Sequence, residues 1–257
     1  MTRGFRLDVW LPPVVALGVL VLAWQLVAVH EPAHAVATVP ETLSELAHHP
    51  GLYWRSSLVT LQEIGVGLGA SFVVAFALAV AMVHVEIVER AVMPLAVALN
   101  VTPVIAYAPG LVLLLGFGIA PRYVVTAIVV FFPFLVNSLV GLRSVDASAL
   151  DLLRTLNASR REVLWRLRLP SSLPYLFAAA RICLPLSVVG AVVAEFTTSG
   201  SNAGLGSVIS SANQQLDVPA IYAAIIVLAA LGLVLTLVVV LLERRVLAWH
   251  PAGSRLR

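Results

Sequence analysis

The sequence predicts an all-α membrane protein with about six transmembrane helices, and three observations lead to this fold class. First, 60% of the 257 residues are hydrophobic and only 11% are charged, whereas soluble domains carry about 25% charged residues. Second, the chain contains six apolar runs of the length, about 17–25 residues, that crosses a bilayer as a helix. Third, the arginines concentrate on alternate connections between those runs.

The six apolar runs follow one another along the chain, which we interpret as a single membrane domain of residues 1–257. They are Leu11–Val29, Leu58–Val83, Val92–Phe117, Tyr123–Leu142, Tyr175–Phe196 and Ala220–Leu242. The first run is longer than the apolar region of a cleaved signal peptide, and no small-x-small cleavage site follows it. It is therefore expected to remain as a helix.

The arginines assign an orientation, because cytoplasmic connections carry an excess of basic residues. With a cytoplasmic N-terminus, only Arg55 and Arg122 fall outside. The inside set is Arg3, Arg6, Arg90, Arg143, Arg154, Arg160, Arg161, Arg166, Arg168, Arg244, Arg245, Arg255 and Arg257. Both termini are thus predicted to be cytoplasmic. Topology and anionic lipid account for these basic segments, so they do not indicate nucleic acid as a partner.

The residue types that are missing exclude several chemistries. The chain has 16 arginines and no lysine, so it lacks a Walker A phosphate loop and a Schiff-base site for a pyridoxal cofactor. Cys183 is the single cysteine and lies in an apolar run, where a small core residue is expected. No convergent catalytic set is present, and we expect no enzyme activity and no cofactor.

The third run is interrupted by prolines. Pro94, Pro103 and Pro109 lie within it, and Asn100 and Thr102 precede the second of them. Proline removes a backbone donor and kinks a helix, and the freed carbonyl groups need a partner in hydrocarbon. Two interpretations stay open: a kink that serves packing, or a helix that lines a solute pathway.

The connection Ser148–Pro170, SALDLLRTLNASRREVLWRLRLP, is the most distinctive segment. Ser148 and Asp151 form a capping-box-like pair that is expected to start a helix. The spacing of three and four residues places several apolar side chains on one face of that helix. They are Ala149, Leu152, Leu153 and Leu156.

A turn and a second short helix are expected to follow. Asn157 lies where a residue in the left-handed conformation would end the first helix. Ser159 and Glu162 form a second capping box, and Pro170 is expected to stop the helix that they begin. The pattern suits either an amphipathic pair lying in the lipid interface or a knob that docks into a partner protein.

This pattern resembles the cytoplasmic coupling loop, the EAA loop, of the membrane subunits of ABC importers. That motif has E-A-A, three residues, G, nine residues and I-x-L-P. The matching positions are Asp151, Leu152, Leu153, Asn157, Leu167, Leu169 and Pro170. Aspartate replaces the glutamate, leucines replace both alanines, and Asn157 keeps the turn chemistry of the glycine.

Two further segments extend the resemblance to the nitrate, sulfonate, taurine and thiamine-pyrimidine-precursor group of these importers. The segment Glu195–Gly206, EFTTSGSNAGLG, resembles the E…GLG signature that follows the fifth span in that group. The ending Leu242–His250, LERRVLAWH, is similar to its tail.

The resemblance implies a type I ABC importer-like permease with a cytoplasmic helix-turn-helix coupling loop at residues 148–170. It implies a cell-membrane subunit that pairs with a second copy, binds cytoplasmic ATP-binding ABC subunits and receives a small polar or anionic solute from an extracytoplasmic binding protein. The solute would be sulfonate-, nitrate- or pyrimidine-precursor-like. The coupling residues would be Asp151, Leu152, Leu153, Leu156, Asn157, Arg160, Leu167 and Pro170. Candidate pathway or gating residues are Asn100, Thr102, Pro103 and Glu195.

Two acidic residues in apolar surroundings leave alternatives open. Glu195 could act in gating or subunit contact or lie at the interface, and Glu63 could pair with Arg55 or a neighbour or lie near the interface. A proton-coupled secondary transporter would use them without an ATPase, although it predicts paired broken helices in two halves. Histidines in the expected outer loop Glu31–Trp54 fit no standard metal-ligand spacing. They are His30, His34, His48 and His49.

Overall fold

The structure is a computed structural model that describes residues 7–31, 35–198 and 203–248. Within those ranges the regular structure is helical throughout. The elements are α1 (Leu7–His30), α2 (Val39–His48), α3 (Pro50–His84), α4 (Glu86–Val101), α5 (Val104–Leu115), α6 (Ile119–Arg143), α7 (Ala147–Thr155), α8 (Arg160–Val163), a π-helical segment (Leu164–Arg168), α9 (Leu169–Thr197), α10 (Leu205–Gln215) and α11 (Val218–Val246).

The long helices confirm the predicted fold class. Among the described residues, α1, α3, α6, α11 and the helix that runs from Arg160 to Thr197 are long and apolar enough to cross a membrane. The pair of α4 and α5 makes a sixth candidate, because the two helices together are apolar enough but are bent by 104° at their junction. The chain is therefore a multi-pass membrane protein with five or six spans.

Three helices, α3, α6 and α9, pack against one another and form the centre of the bundle. Small residues permit this close approach: a Cβ atom at Gly67 of α3 would lie 2.7 Å from the side chain of Thr126 on α6. Packing of this kind associates helices in lipid, where the hydrophobic effect between them is weak. The largest buried cluster comprises Ala75, Ala79, Met82, Ala96, Val130, Phe134, Leu135, Leu139, Leu142, Ala179 and Cys183. Cys183 is thus the small core residue that its sequence context predicts.

The first helix lies at the periphery. Most apolar side chains of α1 are exposed, and its clearest aromatic contact is the stacking of Trp24 on Tyr222 of α11, with ring centroids 5.6 Å apart. A contiguous apolar surface of this extent is not left in water by a stable protein. We therefore expect lipid or another membrane subunit to cover α1.

The expected outer loop Glu31–Trp54 is largely helical, which corrects the sequence prediction. Thr38 and Glu41 form a capping box that starts α2, and α3 begins at Pro50 rather than at Leu58. The apolar run in the sequence does not include this first part of α3, because polar side chains interrupt the pattern there. A helix continues through such positions when its neighbours satisfy the side chains, so the apolar run marks only part of its length.

The third apolar run forms two helices rather than one kinked span. The backbone N–H of Thr102 still donates to the carbonyl of Ala98, at 3.1 Å, but α4 ends there and α5 begins after Pro103. Pro103 has no N–H to continue the hydrogen-bond ladder and restricts the residue before it to extended conformations. Pro94 and Pro109 lie inside α4 and α5, so only the central proline breaks the run.

Candidate functional site

Two polar regions lie at opposite ends of the bundle. One is the α6–α9 connection, residues 144–168, which contains α7, α8 and the π-helical segment. The other is a buried polar cluster formed by Thr60, Glu63, Arg122, Glu195 and Thr198. The cluster draws on the first half of α3, the start of α6 and the end of α9. These parts share one end of the bundle because α3 and α6 run in the same direction and α9 runs opposite to both.

The α6–α9 connection starts with a capped helix. Asp146 caps α7: its carboxylate accepts hydrogen bonds from the backbone N–H of Ser148 at 3.4 Å and from the Ser148 hydroxyl at 2.5 Å. The hydroxyl and then the backbone hydrogen bond hold the pKa of Asp146 below its usual range. The prediction that Ser148 itself is the cap is therefore wrong by two positions. A carboxylate binds the N-terminal amides of a helix well, and Ser148 becomes a donor to it.

The turn after α7 has the geometry that the sequence predicts. Asn157 has a φ of 53°, in the left-handed region that asparagine tolerates better than most residues. Its N–H donates to the carbonyl of Arg154 at 3.0 Å, and the N–H of Ala158 donates to the carbonyl of Leu153 at 3.0 Å. This pair of bonds is a Schellman motif, which satisfies the last carbonyl groups of the helix.

The second half of the connection differs from the expected free helix. The Ser159–Glu162 capping box is present: the N–H of Ser159 donates to Glu162 at 2.9 Å, and the N–H of Glu162 donates to the Ser159 hydroxyl at 3.2 Å. The helix then continues without a break from Arg160 to Thr197. Pro170 lies in the first turn of α9 and does not stop it. The preceding π-helical turn is wider, and a local adjustment of this kind accommodates a proline within a longer helix.

The predicted coupling residues divide into exposed and half-buried sets. Leu152 in α7 is 61% exposed, and Leu156, which caps the end of α7 four positions later, is 68% exposed. The other exposed residues are Asp151, Asn157 and Arg160, and the half-buried ones are Leu153, Leu167 and Pro170. The connection thus exposes two leucines just before the Asn157 turn. The continuous helix that begins at Arg160 follows this turn and enters the bundle.

Arg122 is the centre of the buried polar cluster. Its Nη1 lies 3.0 Å from Oε1 of Glu63, and the two side chains are 2% and 0% exposed. Its Nε donates to the Thr198 hydroxyl at 2.6 Å, and its Nη2 donates to the Thr198 carbonyl at 3.2 Å. A buried ion pair is retained only when further hydrogen bonds satisfy its remaining groups, and Thr198 satisfies part of the guanidinium.

Glu195 connects the cluster to α10. Its carboxylate accepts hydrogen bonds from the Thr60 hydroxyl and from the backbone N–H of Ser207, both at 2.8 Å. The Thr60 hydroxyl also accepts from the N–H of Leu205 at 2.9 Å. The carboxylate therefore caps the positive N-terminal end of α10. A Cβ atom at Gly204 would lie 2.2 Å from Oε1 of Glu195, which explains why a glycine follows the glutamate in this segment.

Sequence reasoning missed most of this cluster. Arg122, which the sequence assigns to an outer connection, is buried within the bundle, and it, not Arg55, is the partner of Glu63. Glu195 is buried too, among hydrogen-bond partners from α3 and α10. A signal for the cluster was present in the sequence. Glu63, Arg122 and Glu195 lie in or beside apolar runs, and the order of the spans places all three at the same end of the bundle. Ionisable side chains in such surroundings need partners.

The four candidate pathway residues are not brought together. Asn100, Thr102 and Pro103 are exposed at the junction of α4 and α5, whereas Glu195 is buried and no hydrogen bond joins it to them. Within the described ranges, no group of histidine, cysteine, aspartate or glutamate side chains could hold a metal ion. Several predicted features lie outside the described residues: residues 1–6 and 249–257, His34, and residues 199–202 of the E…GLG segment.

The bundle of apolar helices, with one broken pair and a capped, exposed connection, is that of a multi-pass membrane protein. The family model described as "Binding-protein-dependent transport system inner membrane component" matches residues 71–248. The chain belongs to this family and is a permease of an ABC importer. The predicted resemblance is confirmed.

Named relatives extend the match beyond the family segment. The chain is 34% identical over 242 residues to the formylaminopyrimidine transport permease ThiX of Halalkalibacterium halodurans, covering 93% of this chain and 96% of the relative. It is 32% identical to the riboflavin transport permease RibX of Chloroflexus aurantiacus, covering 79% and 75%. It is 27% identical to the putative aliphatic sulfonates permease SsuC of Bacillus subtilis, covering 94% and 88%. These relatives are transport permeases by name.

Proposed function

We propose that this chain is a single permease domain that forms the solute pathway of an importer and is driven by a separate ATPase subunit bound at α7. The observation that carries the proposal is the exposed pair Leu152 and Leu156, held by the Asp146 cap on one side and the Asn157 turn on the other. Exposed leucines on a capped helix suit a protein partner. The proposed coupling residues are Asp151, Leu152, Leu153, Leu156, Asn157, Arg160, Leu167 and Pro170.

The continuous helix from Arg160 to Thr197 would carry the movement. Its 38 residues span about 55 Å at roughly 1.5 Å per residue. One end adjoins the Asn157 turn, and the other holds Glu195 against α10. A displacement of α7 by the ATPase would therefore reach the Glu195 contact at the opposite end. Such a contact, made or broken as a unit, provides the two discrete states that alternating access needs.

The α4–α5 junction is the proposed pathway wall. The surface at this junction exposes Asn100, Thr102 and Pro103. Irregular backbone within a membrane is tolerated where protein or a water-filled cavity covers it. A second copy of the chain facing this junction would enclose the pathway. An extracytoplasmic binding protein would deliver a small polar or anionic solute of the pyrimidine-precursor, sulfonate or nitrate kind to it. Membrane lipid surrounds the remainder.

Orientation is the first test of this proposal, with the α6–α9 connection and both termini expected in the cytoplasm. In a Cys183→Ala background, Ser148→Cys on α7 and Ser44→Cys on α2 place exposed cysteines at the two ends of the bundle. We expect an impermeant thiol reagent to label the α2 cysteine in intact cells and the α7 cysteine only after lysis. Labelling of the α7 cysteine in intact cells would contradict the proposed orientation.

The energy source is the second test. The chain reconstituted in vesicles with its cognate ATPase subunits and binding protein is expected to take up solute when ATP is supplied on the ATPase side. Without those subunits it should neither hydrolyse ATP nor accumulate solute. Accumulation driven by a proton gradient alone would support the secondary transporter, in which the buried Glu63 and Glu195 would carry the proton.

A further inference from the structure

A basic cleft opens where the end of α3 meets the α6–α9 connection. Its volume is about 330 Å³, and three arginines line it: Arg154, Arg160 and Arg168. His84, the last residue of α3, lies beside them, and Val83 and Val163 supply apolar wall. Among the residues that the structure describes, no acidic side chain lines the cleft.

The positive charge of this cleft is poorly compensated. Arg154 pairs with Asp151 at 3.1 Å, but both side chains are more than two-thirds exposed, so water screens that pair. Arg168 donates to the carbonyl of Leu142 at 2.9 Å, and neither it nor Arg160 has a carboxylate within 4.0 Å among the described residues. The like charges of Arg143 and Arg154 also act on Arg168. A bound anion would relieve this repulsion.

The position of the cleft along the bundle indicates the source of that anion. The apolar part of α3 ends at the cleft, and α9 enters the bundle directly after Arg168. Trp165, in the π-helical segment that precedes α9, is 60% exposed. Tryptophan side chains favour the head-group level of a bilayer. The cleft therefore lies at head-group depth, where guanidinium groups meet phosphate, the group that their planar donors fit.

We propose that the cleft binds the phosphate head group of an anionic phospholipid, with Arg154, Arg160 and Arg168 as the donors and Val83 and Val163 against its glycerol. The site rests on the cytoplasmic orientation proposed above and not on coupling to an ATPase. A bound lipid would contact both the end of α3, through Val83, and α7, through Arg154. The coupling helix would then hold its position only in a leaflet that contains anionic lipid.

Lipid selectivity of the purified full chain tests the site. Native mass spectrometry measures the affinities of phosphatidylglycerol and phosphatidylcholine for the wild type and for the pair Arg154→Gln/Arg168→Gln. The matched control is Arg161→Gln/Arg166→Gln, which removes the same charge from exposed positions that do not line the cleft. An arginine at an anionic head group contributes about fivefold in affinity, and Arg161 and Arg166 would not contact the bound head group because they do not line the cleft. We expect the cleft pair to lose about 10- to 30-fold of the preference for phosphatidylglycerol, and the control less than about threefold.

Two further variants keep the test decisive. Arg154→Lys/Arg168→Lys retains the charge and is expected to keep most of the preference. If the glutamine pair does not fold, Arg154→Gln alone, at an exposed position, is expected to lose about fivefold. The near-ultraviolet circular dichroism signal, and its loss on unfolding, establishes that each variant is folded.

Several results would overturn the proposal. Equal losses in the cleft pair and the control would mean that the basic surface attracts lipid without a site. Complete displacement of phosphatidylglycerol by millimolar inorganic phosphate would identify a free-anion site. Unchanged lipid selectivity together with lost binding of the ATPase subunit would assign the arginines to an acidic side chain of that partner.

Discussion

The two ends of the bundle contain ion pairs of nearly equal length that behave differently. Arg122 and Glu63 lie 3.0 Å apart, and their side chains are almost fully buried. Arg154 and Asp151 lie 3.1 Å apart, but their side chains are 68% and 69% exposed. At equal distance the interaction energy depends on the surrounding dielectric, which differs severalfold between the interior and the surface. Distance alone therefore does not tell what an ion pair contributes.

The two regions also differ in how the chain builds them. The buried polar cluster joins residues separated by 59, 76 and 135 positions, and Gly204 leaves room for its carboxylate. The turn and the helix caps of the α6–α9 connection are held by bonds between residues two to five positions apart. A cluster made of distant parts responds as a unit to helix movement, whereas a local turn keeps its shape when it is displaced. The buried polar cluster is therefore suited to making or breaking its contacts together, and the α6–α9 connection is suited to moving without changing its shape.

The largest expected effect comes from removing Arg122. The Arg122→Met variant leaves Glu63 buried without its counter-charge, which costs about 3–5 kcal/mol of unfolding free energy. Denaturant titration in micelles measures this cost. The matched control is Arg90→Ala, because Arg90 and Glu86 are 2.7 Å apart and largely exposed. This variant is expected to lose less than about 1 kcal/mol of unfolding free energy.

A second variant shows whether the cost comes from the unpaired charge. Glu63→Gln in the Arg122→Met background removes the buried carboxylate and is expected to restore part of the lost stability. If Arg122→Met and Arg90→Ala destabilise the protein equally, burial does not distinguish the two pairs and the comparison fails.

An intermediate effect is expected at Gly204. The Gly204→Ala variant would force the Glu195 carboxylate away from the N-terminus of α10, because the added Cβ would lie 2.2 Å from it. Overpacking of this kind costs about 1–3 kcal/mol, and hydrogen exchange of the α10 amides measures the local loss. Gly69→Ala is the control, since nothing lies within 4 Å of a Cβ atom there. Unchanged exchange in the Gly204 variant would show that the carboxylate has room to move.

The smallest effect on stability, but a clear one on coupling, is expected at Asn157. Its φ of 53° suits glycine, so Asn157→Gly should behave like the wild type. Asn157→Val should cost about 1–2 kcal/mol of strain and displace Leu152 and Leu156 relative to the helix that begins at Arg160. Solute-stimulated ATP hydrolysis in reconstituted vesicles checks the effect on coupling. If valine supports hydrolysis as well as glycine does, the tight turn is not needed there.

Local chemistry is the part of the candidate site that the sequence predicts well. Asn157 adopts the left-handed conformation, and Ser159 caps the next helix with Glu162, because these features depend on residues within one turn of each other. The errors arise where two local signals compete. Asp146 replaces Ser148 as the cap, and Pro170 sits inside a longer helix because a π-helical turn precedes it.

The sequence by itself determined the helical membrane class, the order of the spans and the turn at Asn157, since each follows from composition or from short-range pattern, and the resemblance of its Ser148–Pro170 segment to a known motif indicated the family. Only the tertiary structure decided that Arg122 pairs with Glu63, that Glu195 caps α10 and that α4 and α5 meet at 104°. The physical reason is that a buried charge can be satisfied by any opposite charge at the same depth. Which one it meets depends on how α3, α6 and α9 pack, and short-range patterns do not specify that packing.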